Sequence, residues 1–287
     1  MILRSPRLPR FIASAQDTAD ATVLLFGAPF DSSCSLRPGT RFGANAIRLE
    51  SDGVESYSPY LDADLEDGSF CDLGDLELPF GNSAAALDLV ERQGQWILGQ
   101  GAKPFMLGGE HLLTLGLFRA LKLRYPDLHV LHFDAHTDLR ENYLGEKLSH
   151  ASVMRRIWEE LGDGRIHAFG IRSGQKTEWT WAADHIDFHP FRLTGLADCL
   201  QKLQDTPLFL SFDLDVFDPA YLPGTGTPEA GGVDFREVMQ ALKLLRGAKL
   251  VAADVMELNP MLDPSKRSAA LAAVICRELL LLLMELA

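Results

Sequence analysis

The segment LHVLHFDAHTD, residues 128–138, joins a short apolar run to three side chains that can bind metal ions. The run at residues 128–133 predicts a buried strand. Asp134, His136 and Asp138 follow it at alternate positions, and alternate side chains of an extended backbone point to one face. The segment therefore predicts a strand that ends in half of a metal site.

A second segment and a third motif complete the predicted site. SFDLD at residues 211–215 places Asp213 and Asp215 directly after another apolar run, and GGEH at residues 108–111 adds His111. Four carboxylates without counter-charge would repel one another and raise one another's pKa values, so the cluster implies bound cations. Mixed Asp and His ligands without cysteine favour Mn²⁺, then Fe²⁺ or Co²⁺, over structural zinc. Either aspartate segment alone would also suit a solvated strand end, whereas the two together favour a metal site.

Strand-like and helix-like segments alternate along the chain, which predicts a mostly parallel sheet covered by helices on both faces. We expect a single three-layer α/β/α domain over residues 1–287 with a sheet of about eight strands. The acidic, tyrosine-bearing segment 51–68 is expected to be an exposed excursion. In open parallel sheets the ligand site lies beyond the carboxyl ends of the strands, where the metal-binding candidates and Glu257 fall. The predicted strands cover residues 22–27, 70–73, 104–107, 128–133, 165–171, 186–188, 207–212 and 249–256.

The amino-acid composition argues against several classes of binding partner and location. A formal net charge of -13 disfavours nucleic acid and anionic membrane surfaces as partners and favours cationic ligands. The four cysteines are scattered without a CxxC pair, which indicates reduced thiols and a cytoplasmic location. Residues 1–10 lack the apolar block of a secretory signal. The apolar run at residues 279–284 is far shorter than the roughly 20 residues that span a bilayer.

These segments resemble the ureohydrolases, the family of arginases, agmatinases and relatives that remove urea from guanidino compounds. The resemblance extends from residue 23 nearly to the end of the chain, is strongest to bacterial agmatinases, and implies the arginase-like α/β fold. It is carried by GGEH at 108–111, DAHTD at 134–138, SFDLDVFDPA at 211–220, GTGTPEAGG at 224–232 and MELNP at 256–260.

The resemblance implies two Mn²⁺ ions per subunit. Two such ions, about 3.5–4 Å apart, would lower the pKa of a shared water toward neutrality and direct the resulting hydroxide at the guanidinium carbon. Asp134 and Asp213 would bridge the ions, with His111 and Asp138 on one ion and His136 and Asp215 on the other.

Three residues are expected to be catalytic: His150, Glu257 and the metal ligand Asp138. Glu257 would bind the substrate by accepting two parallel N–H bonds from its guanidinium. His150 would contact the substrate and pass protons to the leaving amine. The sequence SHAS at 149–152 departs at Ala151 from the SHGT or SHST usual in agmatinases, which bears on the geometry of this loop. Without the resemblance, His150 would be interpreted as a helix cap or a surface residue. Glu257 would be interpreted as a solvated residue or a cap at the end of its strand.

The resemblance also bears on the substrate. Arginases carry a Ser-Gly-Asn run before this histidine and an Asp after a Gly-Ile/Leu-Arg strand, whereas this chain reads LGEKLS at 144–149 and GIRSG at 170–174. Without those partners arginine would lose several hydrogen bonds to charged groups, each worth about 1.5–3 kcal/mol. Agmatine therefore ranks first, with aminopropylagmatine, guanidinobutyrate and arginine as alternatives. Glu141, Tyr143 and Glu146 are candidates for binding its distal ammonium, or else they are solvated surface.

Rival classes fit the sequence less well. A deacetylase-like hydrolase would use one zinc and tandem histidines, which the sequence lacks. A catalytically silent metal-binding relative would have lost a ligand or Glu257. Ureohydrolases commonly form trimers or hexamers, so a homo-oligomer is expected, with the N-terminal residues and segment 51–68 as candidate contacts.

Some polar residues lie outside the central motifs or have an open role. Asp218 could serve either the metal ligands or a turn beside Pro219. The glycines of 224–232 suit a wall of the site better than a phosphate loop, because no Walker lysine follows them. The remaining histidines, at positions 129, 132, 167, 185 and 189, are expected to be core or surface residues.

Overall fold

Eight strands of the chain pair into one sheet in which every neighbouring pair runs parallel. The computed structural model describes residues 9–286, and the predicted α/β fold with an eight-stranded parallel sheet is confirmed there. The exact extent of the domain, residues 1–287, stays a prediction. Two further short strands, β2 and β3, form a separate antiparallel pair. The strands are β1 (Val23–Ala28), β2 (Tyr57–Ser58), β3 (Ala63–Asp64), β4 (Phe70–Asp75), β5 (Lys103–Gly108), β6 (His129–Phe133), β7 (Ile166–Ile171), β8 (Asp187–Pro190), β9 (Leu208–Asp213) and β10 (Leu250–Met256).

Helices cover both faces of the sheet and produce the predicted three layers. Alternate residues of β1 face the two layers, with Val23 and Leu25 in one apolar core and Leu24 and Phe26 in the other. One face packs against α1, α6, α7 and α8, and the other against α2, α3, α4 and α5. None of the helices between residues 9 and 286 combines the length and apolar character needed to cross a bilayer. The helices are α1 (Gly43–Ser51), α2 (Ser83–Gly99), α3 (Thr114–Arg124), α4 (Val153–Leu161), α5 (Lys176–His185), α6 (Leu196–Lys202), α7 (Phe235–Leu244) and α8 (Arg267–Leu283).

The strand order across the sheet is β4-β1-β5-β10-β9-β6-β7-β8, so the last two strands of the chain enter its middle. β9 pairs with β6, with Phe212 opposite Phe133, and β10 pairs with β5, with Val255 opposite Leu107. The carboxyl ends of these four central strands therefore lie side by side. The motifs that follow them meet at one edge of the sheet although they are far apart in the sequence.

Segment 51–68 is only in part the exposed excursion that its acidic composition predicted. Leu61 and Leu65 are buried, and the Ser58 hydroxyl donates to the Glu278 carboxylate of α8 at 2.6 Å. Several of its acidic residues are exposed. The apolar side chains between those acidic residues anchor the segment. The overall acidic composition of the segment does not indicate this burial. The N-terminal contact predicted with it falls partly on residues 1–8, outside the described range.

The Arg48 guanidinium of α1 is fully buried and ties this helix to the edge strand β4. Its Nε and Nη2 donate to the two carboxylate oxygens of Asp72 at 2.7 and 3.0 Å, and its Nη1 donates to Asp75. Asp72 also accepts the Phe11 N–H at 2.9 Å, which attaches the N-terminal segment to the same point. Removing one partner from such a buried pair leaves an uncompensated charge.

Replacing the buried arginine by methionine (Arg48→Met) would leave two buried carboxylates without a counter-ion. We expect a loss of about 3–5 kcal/mol in the free energy of unfolding, measured by urea denaturation. Arg236→Met is the matched control, because Arg236 is exposed and its loss should change stability by less than about 0.5 kcal/mol. Equal unfolding midpoints for the two variants would show that this ion cluster does not hold α1 to the sheet.

Candidate metal centre and active site

A cavity of about 310 Å³ opens at the carboxyl ends of the central strands. Asp134 is fully buried and contacts His111. The structure thus gathers the side chains that the sequence singled out for metal binding and catalysis. Besides Asp134, these residues line the cavity: His111, His136, Asp138, His150, Asp213, Asp215 and Glu257.

The first cluster of donor atoms surrounds His111, which follows β5. Its Nδ1 lies 3.0 Å from Asp134 Oδ2, 3.1 Å from Asp138 Oδ2 and 3.2 Å from Asp213 Oδ2. Among the described residues, this buried nitrogen has no partner in hydrogen-bonding geometry. One imidazole nitrogen and three carboxylate oxygens that converge in this way fit the ligand shell of a single cation.

The second cluster surrounds His136. Its Nδ1 lies 2.9 Å from Asp215 Oδ2 and 3.6 Å from Asp134 Oδ1. Asp134 therefore faces both clusters, with Oδ2 toward His111 and Oδ1 toward His136. Asp213 presents Oδ2 to the first cluster. Both bridging roles stay predictions, and Asp134 has the orientation that bridging requires.

Both aspartate segments form tight turns, not the extended alternation that we predicted from their spacing. Asp134 Oδ1 accepts the His136 N–H at 2.6 Å, and Asp213 Oδ1 accepts the Asp215 N–H at 2.8 Å. A carboxylate that binds the N–H two residues later is a common turn of Asp. Asp138 has a φ of 51°, in the left-handed region that residues other than glycine rarely adopt. The ligand side chains converge because these turns fold back over the strand ends.

Burial and mutual repulsion determine the charges of the two clusters. Burial and the neighbouring Asp215 and Asp134 raise the pKa of Asp213 well above its usual range. Burial alone would lower the pKa of His111, but the surrounding carboxylates raise it well above its ordinary value. Both shifts show that the clusters favour added positive charge. Two divalent cations would balance the four aspartates, so the residues present fit a two-metal site.

A layer of polar side chains behind the ligands was not identified from the sequence. His132, predicted to be a core or surface residue, is buried with Nε2 2.8 Å from Asp134 Oδ2. His111 Nε2 lies 2.9 Å from Ser211 Oγ, which donates to Asp254 Oδ1 at 3.0 Å. Asp254 is fully buried, and burial raises its pKa to about 6. A charged residue inside an apolar strand was the available signal for Asp254. Such hydrogen bonds orient ligand side chains.

Glu257 directly follows β10 and lines the cavity. Its Oε1 accepts the backbone N–H of His111 at 2.7 Å, so the carboxylate is fixed beside the first cluster. Its φ of 64° is a strained backbone conformation of the kind that concentrates at functional sites. Burial and the neighbouring Glu110 raise the pKa of Glu257 to about 8. A cationic group opposite the carboxylate would counteract this shift.

His150 precedes α4 and is held in place by Ser33. The Ser33 hydroxyl accepts the His150 N–H at 3.0 Å and donates to the Glu110 carboxylate at 2.6 Å. The same oxygen lies 3.4 Å from His150 Nδ1, and Glu110 is fully buried. Burial lowers the pKa of His150, so its ring is neutral near pH 7. Ala151, where the sequence departs from the agmatinase pattern, lines the cavity, and its carbonyl accepts the Arg140 N–H at 3.1 Å.

The outer wall of the cavity carries one acidic side chain, Glu178, and one basic side chain, Arg140. Glu178 is buried, and its Oε2 lies 3.8 Å from Arg140 Nε. The Arg140 guanidinium also lies over the Tyr143 ring, 4.8 Å from its centroid. Of the three candidates for the distal end of the substrate, only Tyr143 lines the cavity in the described part of the chain. Glu141 and Glu146 are exposed, in agreement with their alternative interpretation as solvated surface.

The loop after β9 forms the remaining wall. Asp218 accepts three backbone N–H groups of this loop at 2.8–3.1 Å, so of its two predicted roles it serves the turn. Thr227 lines the cavity with its Oγ1 3.4 Å from Asp215 Oδ2. Segment 224–232 therefore shapes a wall of the site, as its glycines and the missing Walker lysine predicted.

Comparison with known proteins identifies the family. The Arginase family matches residues 21–282. Agmatinase of Bacillus subtilis (strain 168) is 43% identical over 275 residues, covering 94% of this chain and 95% of that protein. Guanidinobutyrase of Pseudomonas aeruginosa is 33% identical over 295 residues, covering 96% and 91%. The crystal structure of agmatine ureohydrolase of Thermoplasma volcanium matches with a TM-score of 0.85 and 32% identity, covering 96% of this chain and 94% of that chain. The resemblance predicted from the motifs is confirmed, and the chain belongs to the arginase family.

Proposed function

We propose that this chain hydrolyses agmatine to putrescine and urea with two Mn²⁺ ions bound per subunit. The observation that carries this proposal is the pair of Asp/His clusters on either side of Asp134, with Glu257 and His150 on the wall of the same cavity. Membership of the arginase family supports the reaction class, and similarity to agmatinases supports the substrate.

The two clusters would hold the two ions. Aspartate and histidine donors without a thiol favour Mn²⁺. When bound, the ions would supply hydroxide at neutral pH by lowering the pKa of a water. The chain itself keeps the ligands in position through the aspartate turns and the hydrogen bonds behind them. The first ion would be held by His111, Asp134, Asp138 and Asp213, and the second by Asp134, His136, Asp213 and Asp215.

Glu257 and His150 would act directly on the substrate. A carboxylate fixed beside the first cluster can accept two N–H bonds from a planar guanidinium and so orient its carbon for attack. A neutral His150 can accept a proton and pass it to the leaving amine. Asp138 would contribute to catalysis as a ligand of the first ion.

The charges of the cavity favour a cationic substrate. After two divalent ions balance the four aspartates, Glu178 offsets the single positive charge of Arg140, and Glu257, whose pKa of about 8 falls beside a cation, adds a negative charge when a guanidinium binds. Agmatine carries a guanidinium and an ammonium, and its ammonium would lie toward Tyr143 and Glu178. Arg140 supports guanidinobutyrate as the second candidate, because a guanidinium on the wall can bind a carboxylate.

The oligomeric state and the cellular location of the protein are proposed from the family resemblance and from the cysteines. The cysteines at positions 34, 199 and 276 are free thiols, which supports a reducing compartment such as the cytoplasm. The family resemblance supports a homo-oligomer, a trimer or hexamer. Light scattering of the purified protein tests the assembly, and a monomer would contradict it.

Urea release from the purified protein tests the proposed reaction. Mn²⁺-loaded protein is offered agmatine, arginine, guanidinobutyrate and aminopropylagmatine in parallel, with EDTA-stripped protein as the control. We expect metal-dependent release that is fastest from agmatine. Faster release from guanidinobutyrate would assign the second candidate, and no release from any substrate would overturn the hydrolase proposal.

Glu257→Gln should reduce kcat/KM for agmatine at least about a hundredfold. The amide cannot accept two charge-assisted hydrogen bonds from the guanidinium, and each such bond is worth about 1.5–3 kcal/mol. Steady-state urea release measures the effect. The double variant Glu141→Gln/Glu146→Gln is the control, because both side chains are exposed and should leave kcat/KM nearly unchanged. Wild-type activity of Glu257→Gln would exclude the guanidinium role.

Asp254→Asn should weaken Mn²⁺ binding about 10- to 100-fold, because the Ser211 hydroxyl that orients His111 loses its charged acceptor. Titration of the EDTA-stripped protein with Mn²⁺ measures the affinity directly. Asp184→Asn is the matched control, since this exposed carboxylate lies on α5. Equal affinities for the two variants would show that Asp254 does not position the ligand.

Ser33→Ala should lower kcat about 10- to 100-fold with KM for agmatine nearly unchanged, because His150 and Glu110 both lose a hydrogen-bond partner. Ser33→Thr keeps the hydroxyl and should restore most of the activity. Ser32→Ala is the control, because Ser32 is an exposed neighbour in the same loop. A fall in kcat with an unchanged pH profile and no recovery in Ser33→Thr would indicate a general loop effect instead.

A further inference from the structure

A second cluster of side chains that can bind metal ions lies at the other end of the sheet strands. His129 is the first residue of β6, whereas Asp134 follows its last, so the two are separated by roughly 15 Å along the strand. The cluster shares no residue with the cavity described above. It comprises His129 of β6, His167 of β7, Asp187 and His189 of β8, and Cys199 of α6.

Strand register explains why these side chains meet. His167 lies opposite Asp187, and Phe169 lies opposite His189, so residues at alternate positions of β7 and β8 face the same helix layer. Phe169 and Cys199 both belong to the apolar core of that layer. The imidazole of His189 stacks on the Phe169 ring with centroids 4.4 Å apart, which fixes the orientation of the imidazole. A row of polar groups therefore crosses an otherwise apolar face.

The donor atoms converge on the Asp187 carboxylate. Its Oδ2 lies 2.9 Å from His167 Nδ1, and its Oδ1 lies 2.9 Å from His189 Nε2. The Cys199 thiol also lies close to Asp187, and donor atoms of His167, Asp187 and Cys199 all lie within 4.8 Å of one another. The side chains of Asp187 and His189 are partly exposed, at 37% and 28%, so an ion has a path into the cluster.

His129 would orient the His167 ring from behind. Its Nδ1 lies 2.9 Å from His167 Nε2. Burial and the neighbouring His167 lower the pKa of His129 to about 4, so it is neutral near pH 7 and can accept an N–H from His167. With its proton on Nε2, His167 would present the lone pair of Nδ1 to a metal ion in place of its contact with Asp187 Oδ2. Metal-binding histidines commonly donate their second N–H in this way.

We propose that His167, Asp187 and Cys199 form a binding site for one borderline-soft divalent cation of the Zn²⁺ or Co²⁺ class, separate from the catalytic ions, with His189 positioning the Asp187 carboxylate through its other oxygen. A thiolate, an imidazole and a carboxylate suit zinc with a water as fourth ligand, whereas the all Asp/His catalytic clusters suit manganese. The bound ion would tie α6 to the edge strands β7 and β8.

Proton balance gives the site a definite pH dependence. Binding releases one proton, from the Cys199 thiol, and the N–H of His167 moves to Nε2, where His129 Nδ1 accepts it. Without an ion, burial and the neighbouring Asp187 raise the pKa of Cys199 to about 12. Between about pH 7 and that pH, the affinity for the cation should therefore rise about tenfold for each unit of pH.

Titration of the full-length, EDTA-stripped chain with Co²⁺ tests the proposal, because cobalt bound to a thiolate gives a charge-transfer absorption in the near ultraviolet. The catalytic clusters contain no cysteine, so the band reports on the proposed site even if no urea is released. We expect this band in the wild type, with three cobalt ions bound per chain by elemental analysis. Absence of the band, or wild-type stoichiometry and absorption in Cys199→Ser, would overturn the proposal.

Two further variants make the assignment specific. Cys34→Ser should keep the band, because Cys34 lies in the loop after β1, near Glu257 and Glu110 at the catalytic end. Loss of the band in Cys34→Ser instead of Cys199→Ser would place the cobalt thiolate at the catalytic end and refute the site. Asp187→Asn guards against misfolding of Cys199→Ser. It should keep a native circular dichroism spectrum and lower the affinity for Co²⁺ more than about tenfold, and unchanged affinity would count against the site.

Discussion

The crowding of four aspartates and two histidines at the carboxyl ends of three central strands, β5, β6 and β9, is the constraint on which the rest of this molecule depends. Buried carboxylates at such separations repel one another and cannot remain ionised without matching positive charge. The turns that bind Asp134 and Asp213 to the backbone, and the hydrogen bonds that hold His111 from behind, keep the groups together against this repulsion. The fold that brings these carboxylates together is therefore also the reason that the site requires metal ions.

The two halves of the cavity are built differently. The inner half is fixed by strand ends and by backbone hydrogen bonds such as that between Glu257 and the His111 N–H. The outer half consists of longer side chains, among them Arg140 and Tyr143, that contact one another. A change in the outer half can therefore alter which guanidino compound fits without disturbing the ions. Relatives named agmatinase and guanidinobutyrase at 43% and 33% identity agree with such a division.

Local spacing made most of the site predictable, and contacts across strands did not. Acids two residues apart after an apolar run place donor groups at a strand end whatever the turn, so the candidate metal ligands could be named although the predicted extended geometry was wrong. His132, Asp254 and the Ser33–Glu110 pair were missed because their partners come from other elements. Strand order was likewise invisible, since nothing in the sequence of β9 or β10 specifies that they enter the middle of the sheet.

That strand order has a consequence for how the protein is made. β5 and β6 each supply ligands, yet they become neighbours of one centre only when β9 and β10 have been inserted between them. A nascent chain that lacks its last third therefore has neither cluster complete, and metal ions at this site cannot help the early stages of folding. Such distant pairings close slowly. Ion capture should accordingly be a late event, which makes metal content a measure of how much of the protein has folded completely.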